Sequence, residues 1–273
     1  MLYEHITLTA CDGTPVLMDV YCPDVKGKDD RSDLRTGVVI CGGGGYAYIS
    51  DRETEPVALR FCAMGLNAYV IHYRTAPWRF PSAVQDVAGA VAYVRENAER
   101  YLQHPGRIAV LGFSAGGHAA CSLGVMWKKE ELWQPIGRTP EEVKPDAMIL
   151  CYPVITAGEH AHRGSFENLT GTNDPAVHQK YSLEKMVTPD TPPAFIWATW
   201  DDASVPCQNS LYLASALREC NVPAELHIYP HGAHGLSLGD RTTWCSNPDR
   251  LEPAVTGWPE LAASFLKTVF SGR

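Results

Sequence analysis

The chain has 273 residues, 45% hydrophobic and 20% charged, ordinary proportions for a globular protein with a sizeable core. Its formal net charge of -8 and the lack of any Lys/Arg-rich run argue against a general nucleic-acid surface. No apolar stretch approaches the roughly 18 residues of a membrane span. The N-terminus Met-Leu-Tyr-Glu-His-Ile-Thr-Leu-Thr has no basic region followed by an apolar core, so no signal peptide is expected and the default location is cytoplasmic.

Nine cysteines stand scattered at positions 11, 22, 41, 62, 121, 151, 207, 220 and 245, with no C-x-x-C pair. Cys41, Cys121 and Cys151 sit in apolar runs, which favours buried free thiols in a reducing compartment over a disulfide framework.

In chain order, Ile6-Thr-Leu-Thr and Val16-Leu-Met-Asp-Val-Tyr read as two strands joined by a turn at Asp12-Gly13, an antiparallel hairpin at a sheet edge. Pro23 to Arg35 is charged and loop-like. Gly37-Val-Val-Ile-Cys41 is the next strand, and it runs into Gly42-Gly-Gly-Gly45-Tyr46. Four consecutive glycines cost chain entropy, so something requires them. Residues without Cβ let backbone N–H groups approach a ligand oxygen and stabilise a tetrahedral intermediate, which predicts an oxyanion hole. The competing phosphate cradle lacks both the Gly-Lys-Ser/Thr ending and an acidic ribose ligand.

Ser50-Asp-Arg-Glu53 predicts a helix-start turn, with a helix over Val57 to Met64 closed by Gly65. Asn67 to Tyr73 is a strand, followed by a loop in which Trp78 could line a pocket or simply pack. Apolar residues at spacings of three and four predict a helix from Pro81 to Tyr101, and Pro105-Gly106 breaks the chain before the next strand. Ile108 to Leu111 is an apolar run suited to a strand buried on both faces.

Gly112-Phe-Ser-Ala-Gly116 follows it and fits G-x-S-x-G, with a helix rich in small residues from Ala115 to Val125. Such a turn holds the serine in a strained conformation, and small flanking residues avoid clashes with strand and helix. A polar segment from Trp127 to Lys144 leads to the strand Ala147 to Tyr152. Residues 153 to 190 show no clear period and suit an irregular insertion shaping a substrate pocket as a cap. His160, His162 and His178 fall there, without the carboxylate or cysteine spacing of a metal site, so no metal is expected. Pro193 to Thr199 is a strand ending at Asp201-Asp202; Asn209 to Cys220 is a helix; Ala224 to Tyr229 is the last strand, before Pro230-His-Gly-Ala-His-Gly; Trp258 to Phe270 is a closing amphipathic helix.

Strands alternating with helices predict a single α/β domain over residues 1–273 with a mostly parallel sheet of about eight strands. Three strands then end in Ser114, an aspartate at 201 or 202, and a histidine at 231 or 234. A serine hydroxyl is a poor nucleophile until an imidazole takes its proton, and an aspartate fixes that imidazole's tautomer. With these residues on the page, the chain resembles the α/β-hydrolase superfamily, and more narrowly the bacterial esterase/lipase group that includes acetyl-xylan-esterase-like proteins. The matching stretches are Gly43-Gly-Gly-Tyr46 with Ser50-Asp-Arg-Glu53 and Glu55-Pro-Val-Ala58, Gly112-Phe-Ser-Ala-Gly-Gly-His118, Ser182-Leu-Glu-Lys185 with Thr191-Pro-Pro193, Asp202-Ala-Ser-Val-Pro206, and His234-Gly-Leu.

The resemblance implies a Ser114–His234–Asp202 triad, the acid preceding x-x-Val-Pro and the base lying in a Gly-x-His-Gly turn. It implies oxyanion donors in the Gly43/Gly44 region and at Ala115, and hydrolysis of a small-molecule ester without metal or cofactor. An acetylated sugar is the implied substrate, with Tyr46, Trp78 and the 153–190 segment bounding its alcohol side. The sequence departs from the group at Cys41-Gly42, where relatives often carry His or Pro. Two other readings stay open: an amidase, formamidase or peptidase on the same triad, and a non-catalytic ligand-binding protein on this fold. A homo-oligomer is compatible with the sequence, although no residue marks an interface.

Overall fold

The computed structural model describes residues 1–24 and 34–271. Most of the expected charged loop from Pro23 to Arg35 therefore lies outside the described residues. Eight strands form one sheet: β1 (Leu2–Thr9), β2 (Pro15–Cys22), β3 (Arg35–Cys41), β4 (Asn67–Ile71), β5 (Gln103–Phe113), β6 (Ala147–Cys151), β7 (Ala194–Thr199) and β8 (Ala224–Tyr229). Their order is β1-β2-β4-β3-β5-β6-β7-β8. β1 and β2 pair antiparallel, β2 pairs antiparallel with β4, and all later pairs are parallel. The hairpin thus forms the expected edge, and its burial alternates along β1, as a strand with one wet face should.

The helices are α1 (Glu55–Ala63), α2 (Ser82–Glu96), α3 (Ser114–Met126), α4 (Glu130–Trp133), α5 (Pro140–Val143), α6 (Arg163–Thr170), α7 (Pro175–His178), α8 (Gln208–Glu219) and α9 (Trp258–Phe270). The central strands bury both faces, and their period of two divides the core. Val39 and Cys41 of β3 with Ile108 and Val110 of β5 pack on the side of α2, α3 and α8. Val38, Ile40, Ala109, Leu111 and Phe113 pack on the side of α1 and α9. This is the doubly covered sheet of an α/β fold.

Three elements differ from the sequence expectation. Strand β5 begins at Gln103 and continues through Pro105-Gly106, because the break is absorbed as a register shift against β3: Arg35 faces Gln103 while Gly37 faces Ile108. The polar segment 127–144 carries α4 and α5, anchored by Trp133, which is fully buried and donates its indole N–H to the Trp127 carbonyl. The 153–190 segment carries α6 and α7, whose Phe166, Leu169 and His178 are buried. Helices this short leave too few turns for a period to register.

All nine cysteines are free, and Cys22, Cys41, Cys121, Cys151 and Cys207 are buried. Burial pushes the Cys22 thiol up to about 12. Among the described residues no helix is long and apolar enough to cross a membrane.

The turn between β5 and α3 needs its glycines. A Cβ on Gly112 would lie 2.2 Å from the Gly116 carbonyl oxygen, and one on Gly116 would lie 2.2 Å from the carbonyl oxygen of Cys41. Helix and strands approach here more closely than any side chain permits. The Gly116→Ala protein is expected to lose about 3 kcal/mol, at the upper end for overpacking a rigid site. Its urea midpoint against wild type checks this.

Candidate active site

Ser114 is the first residue of α3 and has φ +52, the left-handed conformation expected of a serine on a tight strand-to-helix turn. Its Oγ lies 2.8 Å from His234 Nε2. His234 Nδ1 lies 2.7 Å from Asp202 Oδ2. In this geometry Nδ1–H donates to the carboxylate, which leaves Nε2 as the acceptor for the serine proton. The other carboxylate oxygen of Asp202 accepts the N–H groups of Ser204 and Val205, each at 2.9 Å. The Asp202 side chain is fully buried, while His234 keeps 22% of its surface. The acid is thus fixed from both ends, and the base stays open to a reactant.

The alternative residues pair elsewhere. His231 Nδ1 lies 3.2 Å from Asp201 Oδ2, and Asp201 Oδ1 accepts the Gly232 N–H. Both side chains are mostly exposed. Of the two Asp–His pairs, the structure therefore brings only Asp202–His234 to Ser114.

The glycine loop after β3 is held along its length. Tyr73 Oη donates to the Gly42 carbonyl, Ser50 N–H to Gly43, Ala47 N–H to Gly44 and Asn168 Nδ2 to Gly45. The loop abuts the serine: a Cβ on Gly43 would lie 3.0 Å from Ser114 Cβ. Gly43 differs from expectation, because its N–H already donates to the buried carboxylate of Glu53 at 2.8 Å and is not free for an oxyanion. The N–H groups of Gly44 and Ala115 have no hydrogen-bond partner among the described residues. Gly44 has φ +127, which only glycine adopts without strain.

Tyr46 is also a correction. It is 3% exposed, and its Oη donates to His118 Nδ1 at 2.8 Å, so the phenol serves the core rather than a substrate pocket. Trp78 is 41% exposed on the loop after β4.

The family model described as BD-FAE matches residues 18–217. The chain belongs to this family. Its BD-FAE match takes in Ser114 and Asp202, and His234 lies beyond the matched residues. An endo-1,4-beta-xylanase B of Butyrivibrio fibrisolvens is 36% identical over 215 residues, covering 76% of this chain and 33% of that protein. An acetylxylan esterase of Xylanibacter ruminicola is 32% identical over 223 residues, covering 79% of this chain and 43% of that protein. The chain thus aligns with less than half the length of either curated relative. A carboxylesterase from Lactobacillus plantarum superposes with a TM-score of 0.86 at 29% identity, over 100% of both chains. The BD-FAE chain has the α/β-hydrolase fold.

Three residues stand at this site where the sequence reading does not place them. Glu53 reads only as a helix-start residue, yet it is 3% exposed beneath the glycine loop. Tyr152 follows β6 directly with φ +36, and its ring stands edge-on to His234 at 5.1 Å between centroids. His162 is half-buried beside Gly45, its Nδ1 on Ser165 Oγ at 2.8 Å. Burial lowers its pKa, and the neighbouring His234 lowers it further. His160 and His178 go elsewhere, His160 near the Tyr212 ring and His178 into the core on the Thr172 carbonyl.

His118, four residues past the serine, is buried between Tyr46 Oη on Nδ1 and the Tyr181 carbonyl on Nε2, a neutral tautomer with both nitrogens occupied. Burial pushes its pKa from 6.5 down to about 4. The unfolded chain takes up a proton below pH 6.5 that the folded chain refuses until about pH 4. Stability should therefore fall as pH drops through that window, by about 1.4 kcal/mol per pH unit from this group. Urea midpoints at several pH values should show a shallower fall for His118→Asn than for wild type.

Proposed function

We propose that this chain is a serine esterase that hydrolyses small acyl esters, acetyl esters foremost, with a carbohydrate as the alcohol. The observation that carries the reading is the hydrogen-bonded relay from Asp202 through His234 to Ser114, at 2.7 and 2.8 Å. In the proposed mechanism Ser114 Oγ attacks the ester carbonyl carbon while His234 Nε2 takes its proton. The N–H groups of Gly44 and Ala115 hold the oxyanion, and a loop already bonded along its length needs no reorganisation to do so. His234 then protonates the leaving alcohol. Water, deprotonated by the same imidazole, releases the acid from the acyl-enzyme.

Acetyl and carbohydrate preferences rest on similarity to the acetylxylan esterase and the xylanase, each aligned over about three quarters of this chain. In the proposed arrangement one α/β domain holds the whole site. The 153–190 segment, through His162 and α6, borders the glycine loop at Gly45, and Trp78 contacts the alcohol.

The test is a p-nitrophenyl ester series from acetate to decanoate, with acetylated xylo-oligosaccharides and matched amides alongside. Turnover confined to short acyl chains, with acetate released from the oligosaccharides, is the expected result. A rate that climbs toward decanoate overturns the small-acyl assignment, and turnover of amides alone overturns the ester assignment.

A further inference from the structure

Two consecutive residues join the glycine loop to the loop that carries His234. Glu53 Oε2 accepts the Gly43 N–H at 2.8 Å, and Glu53 Oε1 accepts the Tyr152 phenol at 2.7 Å. The phenol oxygen in turn accepts the Ser237 N–H at 2.9 Å. Arg52 closes the same connection from the other side. Its guanidinium donates to the Gly235 carbonyl at 2.8 Å and to the Thr243 carbonyl at 3.0 Å, while its own carbonyl accepts Ser237 Oγ at 2.6 Å. Every other bond on the glycine loop described above ends within that loop, in Ser50 at its end, in Tyr73 after β4, in His118 of α3 or in Asn168 of α6. The Arg52-Glu53 turn alone among them reaches the neighbours of the imidazole, the Tyr152 ring beside it and Gly235 next in the chain.

We propose that Glu53 is a positioning residue that sets the oxyanion donors and the catalytic histidine as one unit, with Tyr152 as its bridge and Arg52 as its second tie. The inference rests on the esterase reading of this site. The chemistry is specific to a carboxylate. Two acceptor oxygens take one N–H from the glycine loop and one O–H from the bridge, which a neutral amide of the same size cannot do. Holding the Gly43 N–H fixes the Gly42–Gly43 peptide, and the Ser50 N–H on the Gly43 carbonyl holds the next one, so the Gly44 N–H of that second peptide stays available to the oxyanion. Holding the phenol fixes the ring that flanks His234. Glu53 touches no reacting atom, and its effect passes through Gly43 and Tyr152.

Glu53→Gln keeps the volume and one acceptor, so it loses one of the two bonds. With active sites counted by fluorophosphonate titration, kcat per site on p-nitrophenyl acetate should fall about 100-fold, with KM changed less than about twofold, as for loss of an oxyanion donor. Affinity for a trifluoromethyl ketone, which forms the charged tetrahedral adduct, should fall by the same factor. Tyr152→Phe keeps the ring and removes the bridge. It should move kcat the same way, and it carries the test if Glu53→Gln does not fold. A Glu53 that only supports the fold would lower the titratable fraction and leave kcat per site within about threefold of wild type, a result that overturns the proposal.

Amide hydrogen exchange gives a readout independent of turnover. In either variant, peptides covering 42–48 and 234–240 should gain exchange together, by about tenfold, while β5 is unchanged. Gain in one loop alone overturns the coupling. If wild type turns over no ester while both loops loosen together in the variants, the esterase reading falls and the coupling stands.

Discussion

Ser114→Ala is expected to lower kcat on p-nitrophenyl acetate by at least about 10⁴-fold while leaving the fold and KM nearly unchanged. The size of the loss follows from the geometry. Among the described residues Ser114 Oγ is the one hydrogen-bond partner of His234 Nε2, at 2.8 Å, so its removal leaves an imidazole with nothing to activate but water. In the proposed mechanism the residual rate over solution is supplied by the N–H groups of Gly44 and Ala115, which still polarise a bound carbonyl. The fold survives because alanine keeps the Cβ at φ +52, where Ser114 is 6% exposed, and only the hydroxyl contact is lost. Circular dichroism, thermal unfolding and a fluorophosphonate label followed by mass spectrometry complete the measurement. Wild type should carry one label on Ser114 and the variant none. Turnover near wild type in a clean Ser114→Ala preparation would sink the assignment.

Much of this site could be read in the sequence because its parts stand at strand ends with distinctive local chemistry. G-x-S-x-G marks a serine turn through steric need alone: nothing larger than glycine fits against Cys41 and Gly116. Strands β3, β5, β6 and β7 read as continuous apolar runs because the sheet is covered on both faces, and α9 reads correctly because thirteen residues give its stripe time to repeat. What the sequence hides is carried by contacts between distant segments. Glu53 lies among charged residues at a helix start, where an acid is normally solvated, yet in the fold it is buried with Gly43 and Tyr152 on its carboxylate. That same contact removes Gly43 from the oxyanion donors. Tyr46 follows the glycines and so suggests a pocket wall, but its phenol is captured by His118, 72 positions away. His162 sits in a stretch with no period, and α6 delivers it to Gly45 through the Asn168 bond.

Asp202→Asn should lower kcat by about 10⁴-fold, close to the serine variant, and the reason is a proton rather than a charge alone. The two backbone donors at Ser204 and Val205, both 2.9 Å from Oδ1, dictate how asparagine must sit. Its amide oxygen takes their place as acceptor, which turns the NH₂ toward His234 Nδ1, 2.7 Å away in the native protein. Nδ1 must then accept instead of donate. The imidazole proton moves to Nε2, where it points at Ser114 Oγ, and the serine is left without a base. Stability should change little, since both backbone bonds are kept. Asp202→Ala instead leaves the buried Val205 N–H and the part-buried Ser204 N–H unpaired and should cost about 1–3 kcal/mol as well as activity. Asp201→Asn is the matched control: its partner His231 is 77% exposed and, among the described residues, has no hydrogen bond to Ser114 or Asp202, so kcat should stay within about twofold of wild type. Nitrogen chemical shifts of the His234 ring, measured in wild type and Asp202→Asn, would report the tautomer directly. A ring still protonated at Nδ1 in the variant, or equal losses in Asp201→Asn and Asp202→Asn, would contradict the relay from Asp202 through His234 to Ser114.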